Sequence, residues 1–153
     1  MVFSPRIWRT IIDIEQRGAR MMIAKINTSN FPTCIIDAYN PQIGSEKAAK
    51  ERHYAELHQA YKENKKDHLC LIMGDMNTRL QARKGSEEDI LGQFVFGEGE
   101  EAIEIQAKDT AGSREMFVDF CVENKLVVTN TRFKKPNKEY CSYKEINTNG
   151  FCG

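Results

Sequence analysis

The apolar run LCLIM at residues 69–73 limits the fold of this chain more than any other feature. Continuous apolar character over a short run predicts a β-strand buried on both faces, because a half-exposed strand would alternate with polar residues. The run ends abruptly at residues 74–77, GDMN, whose residue types are common in turns. The whole chain has 153 residues, which is the size of one ordinary domain.

The segments before this run predict a hairpin and then a helix. Residues 20–27 and 33–39 are short apolar runs joined by TSNFP, which has turn chemistry, so we expect them to pair as strands. Residues 46–65 are rich in good helix formers, and Ser45 is the predicted N-cap of that helix. Helical spacing puts four residues on the face that should cover the sheet: Tyr54, Leu57, His58 and Tyr61.

The pattern weakens beyond residue 77. Residues 79–110 are predicted to be a long surface loop with short pieces of structure. A second helix begins at Gly112 and Ser113, and residues 126–130 and 140–144 are predicted strands. The buried side of that helix is predicted to be Met116, Phe117, Phe120 and Cys121. This order of strands and helices predicts an α/β layered domain with a mixed rather than a purely parallel sheet.

The composition excludes some classes of protein and leaves others open. Twenty-two basic residues balance twenty-two acidic ones, which removes the net positive field that many nucleic-acid-binding domains carry. No stretch approaches the roughly 20 apolar residues of a membrane span, and no signal-peptide run follows the N-terminus. We therefore expect an intracellular protein of the nucleus or cytoplasm. The five cysteines lack metal spacing and are expected to be free thiols, and the three histidines are expected to be plain helix or loop residues.

Polar residues follow two of the predicted strands. Asp75 and Asn77 come directly after the buried run, where an acid and an amide could hold a metal or meet a phosphate. Tyr39 and Gln42 follow the preceding strand and would approach Asp75 if the two strands lie near each other in one sheet. The alternative is that each segment is an ordinary turn at the end of a strand, with Pro41 ending the strand before it. The four residues GDMN, taken alone, favour this alternative.

An ordered set of motifs adds to these two sites. AYNP at residues 38–41, a helix, and GDMN at residues 74–77 occur in that order. They are followed by LGQFVFGEG at 91–99, FVDFCVENKLVVTNTRF at 117–133 and CSYK at 141–144. This set resembles the endonuclease/exonuclease/phosphatase superfamily, and within it the endonucleases of RTE-like non-LTR retrotransposons. The resemblance implies a layered α/β sandwich of the DNase I-like type with mixed sheets, as a single partial domain over residues 1–153.

The same resemblance implies roles for particular residues. Asp75, Asn77 and Tyr39 would be catalytic, and Asp75 and Asn77 would also bind the metal. Gln42, Asn130 and Tyr143 would contact the substrate. The implied cofactor is Mg²⁺, with Mn²⁺ as an alternative ion, and the implied partner is DNA. No membrane and no obligate protein partner is expected.

The chain also departs from the family pattern. The family's opening Gln-Glu pair, whose glutamate is the main magnesium ligand, has no match before residue 20, where Glu15-Gln16 is in the reverse order and no apolar strand precedes it. The closing Ser-Asp-His motif has no match either. Positioned acid–base groups contribute about 10²–10⁴-fold in rate, so we expect a weakly active or inactive fragment. Two alternatives remain: a non-catalytic remnant that binds nucleic acid, and a phosphatase of sugar or lipid phosphates.

Overall fold

The computed structural model describes residues 1–80, 83–95 and 112–134 of the chain. The backbone divides into two compact units, Met1–Thr78 and Arg79–Gly153, which we call the N-terminal unit and the C-terminal unit. Among the described residues, none of the helices combines the length and the hydropathy that a membrane span requires.

A mixed four-stranded sheet forms the N-terminal unit, with strand order β1-β2-β3-β4. The strands are β1 (Ile11–Arg17), β2 (Met21–Asn27), β3 (Pro32–Tyr39) and β4 (Leu69–Asp75). Strand β2 pairs antiparallel with β1 and with β3, and β4 runs parallel to β3. The predicted hairpin and the α/β class with a mixed sheet are therefore confirmed.

Strand β1 shows where the sequence prediction was wrong, since no strand was expected before residue 20. It lies at an edge of the sheet, and its residues Ile12 and Ile14 are 63% and 41% exposed. An edge strand covered on so little of its surface needs few apolar residues, so IIDIEQR gives no continuous apolar run. A short helix, α1 (Pro5–Trp8), precedes it, and the Ser4 hydroxyl caps that helix by accepting from the Ile7 amide.

Helix α2 (Lys47–Asn64) connects β3 to β4 and packs on β3. The prediction that Ser45 caps this helix is wrong: Glu46 holds the N-cap position, and the Ser45 amide donates instead to the Gln42 carbonyl at 2.9 Å. The buried face is also rotated from the predicted one, because Leu57 is buried while Tyr54, His58 and Tyr61 are only half-buried. The buried residues of the helix are Lys50, His53, Leu57, Ala60 and Asn64.

The buried face of helix α2 was predicted wrongly because polar side chains occupy part of it. The Asn64 side-chain amide donates to the Ala60 carbonyl at 2.8 Å, and the Lys50 ammonium donates to the Ile43 carbonyl. A buried polar group that is hydrogen-bonded can occupy a core position, so apolar character alone does not mark the inner face.

Strand β4 is not buried on both faces as predicted. Its residues Leu69, Leu71 and Met73 are 55%, 44% and 43% exposed. Within the described residues β4 ends the sheet, and the three exposed residues share the face that does not include Cys70 and Ile72. The continuous apolar run therefore formed a strand, as predicted, and within the described residues this strand lies at an edge of the sheet.

The C-terminal unit contains helix α3 (Ser113–Asn124), whose predicted start is confirmed. Phe117, Phe120 and Cys121 are buried as predicted, whereas Met116 is half-buried. The predicted strand over residues 126–130 is wrong. That segment makes a single parallel bridge between Val128 and Leu91, and then forms the 3-10 helix Thr129–Thr131. The predicted strand over residues 140–144 and most of the predicted loop lie outside the described residues.

The cysteines of the described residues are free thiols, as predicted. Cys34 and Cys121 are buried, and burial raises the pKa of each to about 12. Thiols with such a pKa stay protonated near neutral pH and are poor nucleophiles and metal ligands.

Candidate functional site at the ends of β3 and β4

Tyr39 and Asp75 lie opposite each other where β3 and β4 end. The two residues are Cα partners in the parallel ladder, and the Asn40 amide extends the ladder by donating to the Asp75 carbonyl at 2.9 Å. Tyr39 and Asp75 are both exposed, so the phenol and the carboxylate are open to a ligand. The carboxyl ends of parallel strands meet at one sheet edge, which is where α/β proteins place ligand-binding residues.

A tight turn fixes the residues that follow β4. Gly74 has φ 124°, and a Cβ there would lie 2.1 Å from the Ala38 carbonyl oxygen, so the two strands approach too closely for any other residue. The Asp75 carboxylate accepts from the Asn77 amide at 2.9 Å, and Asn77 adopts the left-handed conformation with φ 44°. This side-chain-to-backbone bond is the turn chemistry that Asp and Asn favour.

The Asn77 side chain is tied back to β3. Its amide nitrogen donates to the Asn40 carbonyl at 2.6 Å. The bond orients the side chain by its nitrogen, so the amide oxygen and the second N–H remain for other contacts. The structure therefore brings Tyr39, Asp75 and Asn77 together, through the β3–β4 ladder and this one hydrogen bond.

Two of the other predicted substrate residues lie among the described residues. Gln42 is exposed in the loop between β3 and α2, where its carbonyl accepts from Ser45. Asn130 is exposed in the 3-10 helix of the C-terminal unit. Tyr143 lies outside the described residues.

Sequence reasoning did not identify Arg20, which lies beside the Tyr39 ring. The guanidinium carbon is 5.2 Å from the ring centroid, and the Arg20 carbonyl accepts from the Tyr39 amide at 2.9 Å. This distance is within the range of a cation–π contact. The register of the hairpin could have revealed it, because β2 and β3 pair Met21 with Ala38 and so bring the preceding residue to Tyr39.

A buried polar pair beneath the cluster also went unrecognised. Asn40 is 1% exposed and His53 is 5% exposed, and His53 Nε2 lies 2.8 Å from Asn40 Oδ1. The Asn40 side-chain amide donates to the Tyr54 hydroxyl at 3.0 Å. Burial lowers the pKa of His53, and the Arg20 charge acts in the same direction while Glu56 opposes it. His53 lies on a helix as predicted, but the sequence did not reveal its hydrogen bond to Asn40.

The oxygen donors of the cluster are few. Among the described residues, no group of three or more His, Cys, Asp or Glu side chains is placed to hold a metal ion. The two predicted metal ligands offer the Asp75 carboxylate and the Asn77 amide oxygen as donors. The Thr78 hydroxyl, next along the chain, is buried and forms no hydrogen bond in the described structure.

Comparison with known proteins finds similar relatives. The chain is 29% identical over 140 residues to craniofacial development protein 2 of Bos taurus and 28% identical over 140 residues to the same protein of Tragulus javanicus. Each alignment covers 90% of this chain, which spans about a fifth of either relative (21% and 22%). No family model matches the chain.

Proposed function

We propose that this protein is a magnesium-dependent phosphodiester hydrolase of the endonuclease/exonuclease/phosphatase superfamily, with a DNase I-like fold, and that it cleaves DNA as retrotransposon endonucleases do. The placement of Tyr39 opposite Asp75, with the Asn77 amide tied to the same strand end, is the observation that carries the proposal. The similarity to craniofacial development protein 2 and the order of the sequence motifs support it.

The donor atoms fit a weakly held Mg²⁺ ion. Magnesium prefers oxygen ligands, keeps several waters, and is commonly bound through one or two carboxylates together with substrate phosphates. Asp75 supplies one carboxylate and Asn77 an amide oxygen, and Mn²⁺ accepts the same donors. When bound, the ion would polarise the phosphate and neutralise the departing oxyanion.

The side chains of the cluster have distinct roles in this proposal. The Asp75 carboxylate orients the attacking water and accepts its proton. The second N–H of the Asn77 amide donates to a phosphate oxygen as negative charge develops there. The Tyr39 hydroxyl and the Arg20 guanidinium contact non-bridging oxygens of the DNA backbone, as such groups do in protein–DNA interfaces.

Nicking of supercoiled plasmid, with protein in excess over plasmid, tests the proposal. Asp75→Asn should lower the Mg²⁺-dependent nicking rate by about 10²-fold or more, since the general base is lost. Asp67→Asn is the matched control, because Asp67 is exposed and lies two residues before β4 begins. Equal nicking by Asp75→Asn and the wild type would contradict the proposal.

Other outcomes select the alternatives. Salt-sensitive DNA binding without nicking would indicate a non-catalytic remnant, since phosphate contacts make binding depend steeply on salt. Release of phosphate from sugar or inositol phosphates, without nicking, would indicate a phosphatase. The metal is tested separately by Mn²⁺, which should broaden the amide resonances of Asp75 and Asn77 in the wild type and much less in Asp75→Asn.

A further inference from the structure

Asn40 joins the ends of β3 and β4 to helix α2. Its main-chain amide donates to the Asp75 carbonyl at 2.9 Å, and its carbonyl accepts from the Asn77 side-chain amide at 2.6 Å. Its side chain reaches the helix, with Oδ1 at 2.8 Å from His53 Nε2 and the amide donating to the Tyr54 hydroxyl at 3.0 Å. The buried Asn40 is therefore hydrogen-bonded both to the candidate site and to helix α2.

The direction of the His53 bond follows from its chemistry. An amide oxygen only accepts, so His53 Nε2 must carry the proton that it shares with Asn40 Oδ1. Burial favours the neutral ring by lowering the pKa of His53. The ring is also packed edge-on against Tyr54, with the two centroids 6.0 Å apart, which restricts its rotation.

We propose that His53 is a positioning residue, which acts through Asn40 to hold Asn77 and the end of β4 in the arrangement that the reaction needs. The inference rests on the proposed function. Without the His53 donor, the Asn40 oxygen would be buried and unpaired on that side, so Asn40 would shift towards another partner. Any shift of Asn40 moves the carbonyl that orients Asn77, and a displacement near 1 Å at a catalytic group costs on the order of 100-fold in rate.

Three variants separate positioning from a general effect on the fold. His53→Phe fills a similar volume without a donor, and His53→Gln returns an N–H near the position of Nε2. His58→Phe is the matched control, because His58 lies on the same helix and is half-buried. His53→Leu replaces the phenylalanine variant if that protein does not fold. Each variant is assayed for Mg²⁺-dependent nicking at a temperature where melting shows it fully folded.

We expect His53→Phe to lower kcat for nicking about 10-fold or more while KM for DNA stays unchanged, since Tyr39 and Arg20 still contact the backbone. His53→Gln should recover most of kcat, and His58→Phe should match the wild type. An equal loss in His58→Phe, or a rise in KM with kcat unchanged, would overturn the inference.

The side-chain amide resonances of Asn77 give a readout that does not depend on activity. They should move in His53→Phe, return towards their wild-type positions in His53→Gln, and stay in place in His58→Phe. If the wild type does not cleave DNA, the proposed function fails, and these resonances alone decide whether His53 positions Asn77. Unmoved Asn77 resonances in a folded His53→Phe protein would refute the inference.

Discussion

Each of the two units of this chain is stabilised internally by a different kind of contact. In the N-terminal unit, β3 pairs with β2 over seven residues and with β4 over seven residues, so the structure repeats the same interaction many times. In the described part of the C-terminal unit, a few polar side chains add to the apolar packing of helix α3. The alternation of apolar and polar residues sets the register of a repeated ladder, so no single residue decides it. The stability of a structure that relies on single contacts depends on each of those residues.

Thr131 and the ion pair of Glu87 and Arg114 are those side chains. The Thr131 hydroxyl accepts from the Gly92 amide at 2.7 Å and donates to the Val128 carbonyl at 2.6 Å. The Thr131 carbonyl accepts from the Phe94 amide at 3.0 Å. Glu87 binds Arg114 through both carboxylate oxygens, at 2.9 and 2.6 Å, with side chains 9% and 3% exposed. The segment around residue 90 is therefore held to helix α3 and to the 3-10 helix by polar contacts.

The largest effect is expected at Gly74, where even the ladder of the N-terminal unit depends on a single residue. Gly74→Ala would place a Cβ 2.1 Å from the Ala38 carbonyl oxygen at a φ of 124°. Overlap and backbone strain together should lower the free energy of unfolding by about 3 kcal/mol or more. Urea denaturation measures the loss. Gly44→Ala is the control, since a Cβ at Gly44 meets nothing within 4 Å.

Hydrogen exchange shows where the Gly74 substitution acts. Protection should fall most in the amides of β3 and β4, and nicking should fall with it because Asp75 and Tyr39 separate. A Gly74→Ala protein as stable as Gly44→Ala would mean that β3 and β4 can move apart freely. The ladder of the N-terminal unit would then not depend on the single residue Gly74.

The next largest effect is expected at the buried ion pair of the C-terminal unit. Glu87→Gln should cost about 3 kcal/mol in unfolding free energy, because it removes the charge that pairs with the buried Arg114 guanidinium. Glu88→Gln is the control, since the Glu88 side chain is 65% exposed. Urea denaturation followed by exchange of the α3 amides measures both. Equal stability of the two variants would show that the pair contributes no more than a surface contact.

The pH dependence of the same pair has a definite sign. The Arg114 guanidinium holds the pKa of Glu87 below its ordinary value of 4.5. The folded state therefore gains stability from Glu87 above that ordinary pKa and loses it as the pH falls through the lowered pKa. The stability difference between the wild type and Glu87→Gln should shrink over this acid range. A difference that stays constant would contradict the assignment.

The sequence predicted most of the repeated parts of the molecule and few of the parts that depend on single residues. Apolar runs gave β2, β3 and β4, and helix formers gave α2, because these signals are summed over many residues. Strand β1 was missed, since an exposed edge strand carries few apolar residues. The GDMN turn was located because Gly, Asp and Asn have strong turn preferences.

The polar contacts of single residues could not be predicted. Nothing in the spacing of Asn40 and His53 shows that they meet beneath the site, because their pairing depends on the path of the chain between β3 and α2. The segment 126–130 has strand-like apolar residues, yet a 3-10 helix begins at Thr129, and the Gly92 amide donates to the Thr131 hydroxyl at the end of that helix. Tertiary hydrogen bonds overrode local preference there, as they commonly do for β propensity.

The smallest effect is expected at Thr131, and it tests that last point directly. Thr131→Val keeps the shape of the side chain but removes the hydroxyl that accepts from Gly92 and donates to Val128. The loss should be about 1–2 kcal/mol in unfolding free energy, since a buried amide and a carbonyl each lose a partner. Thr131→Ser should recover most of it, and Thr129→Val is the control because Thr129 is exposed. Thermal denaturation measures the series. A Thr131→Val protein as stable as Thr129→Val would show that the backbone around residues 128–131 is set by apolar packing, and that the two units differ less than their contacts suggest.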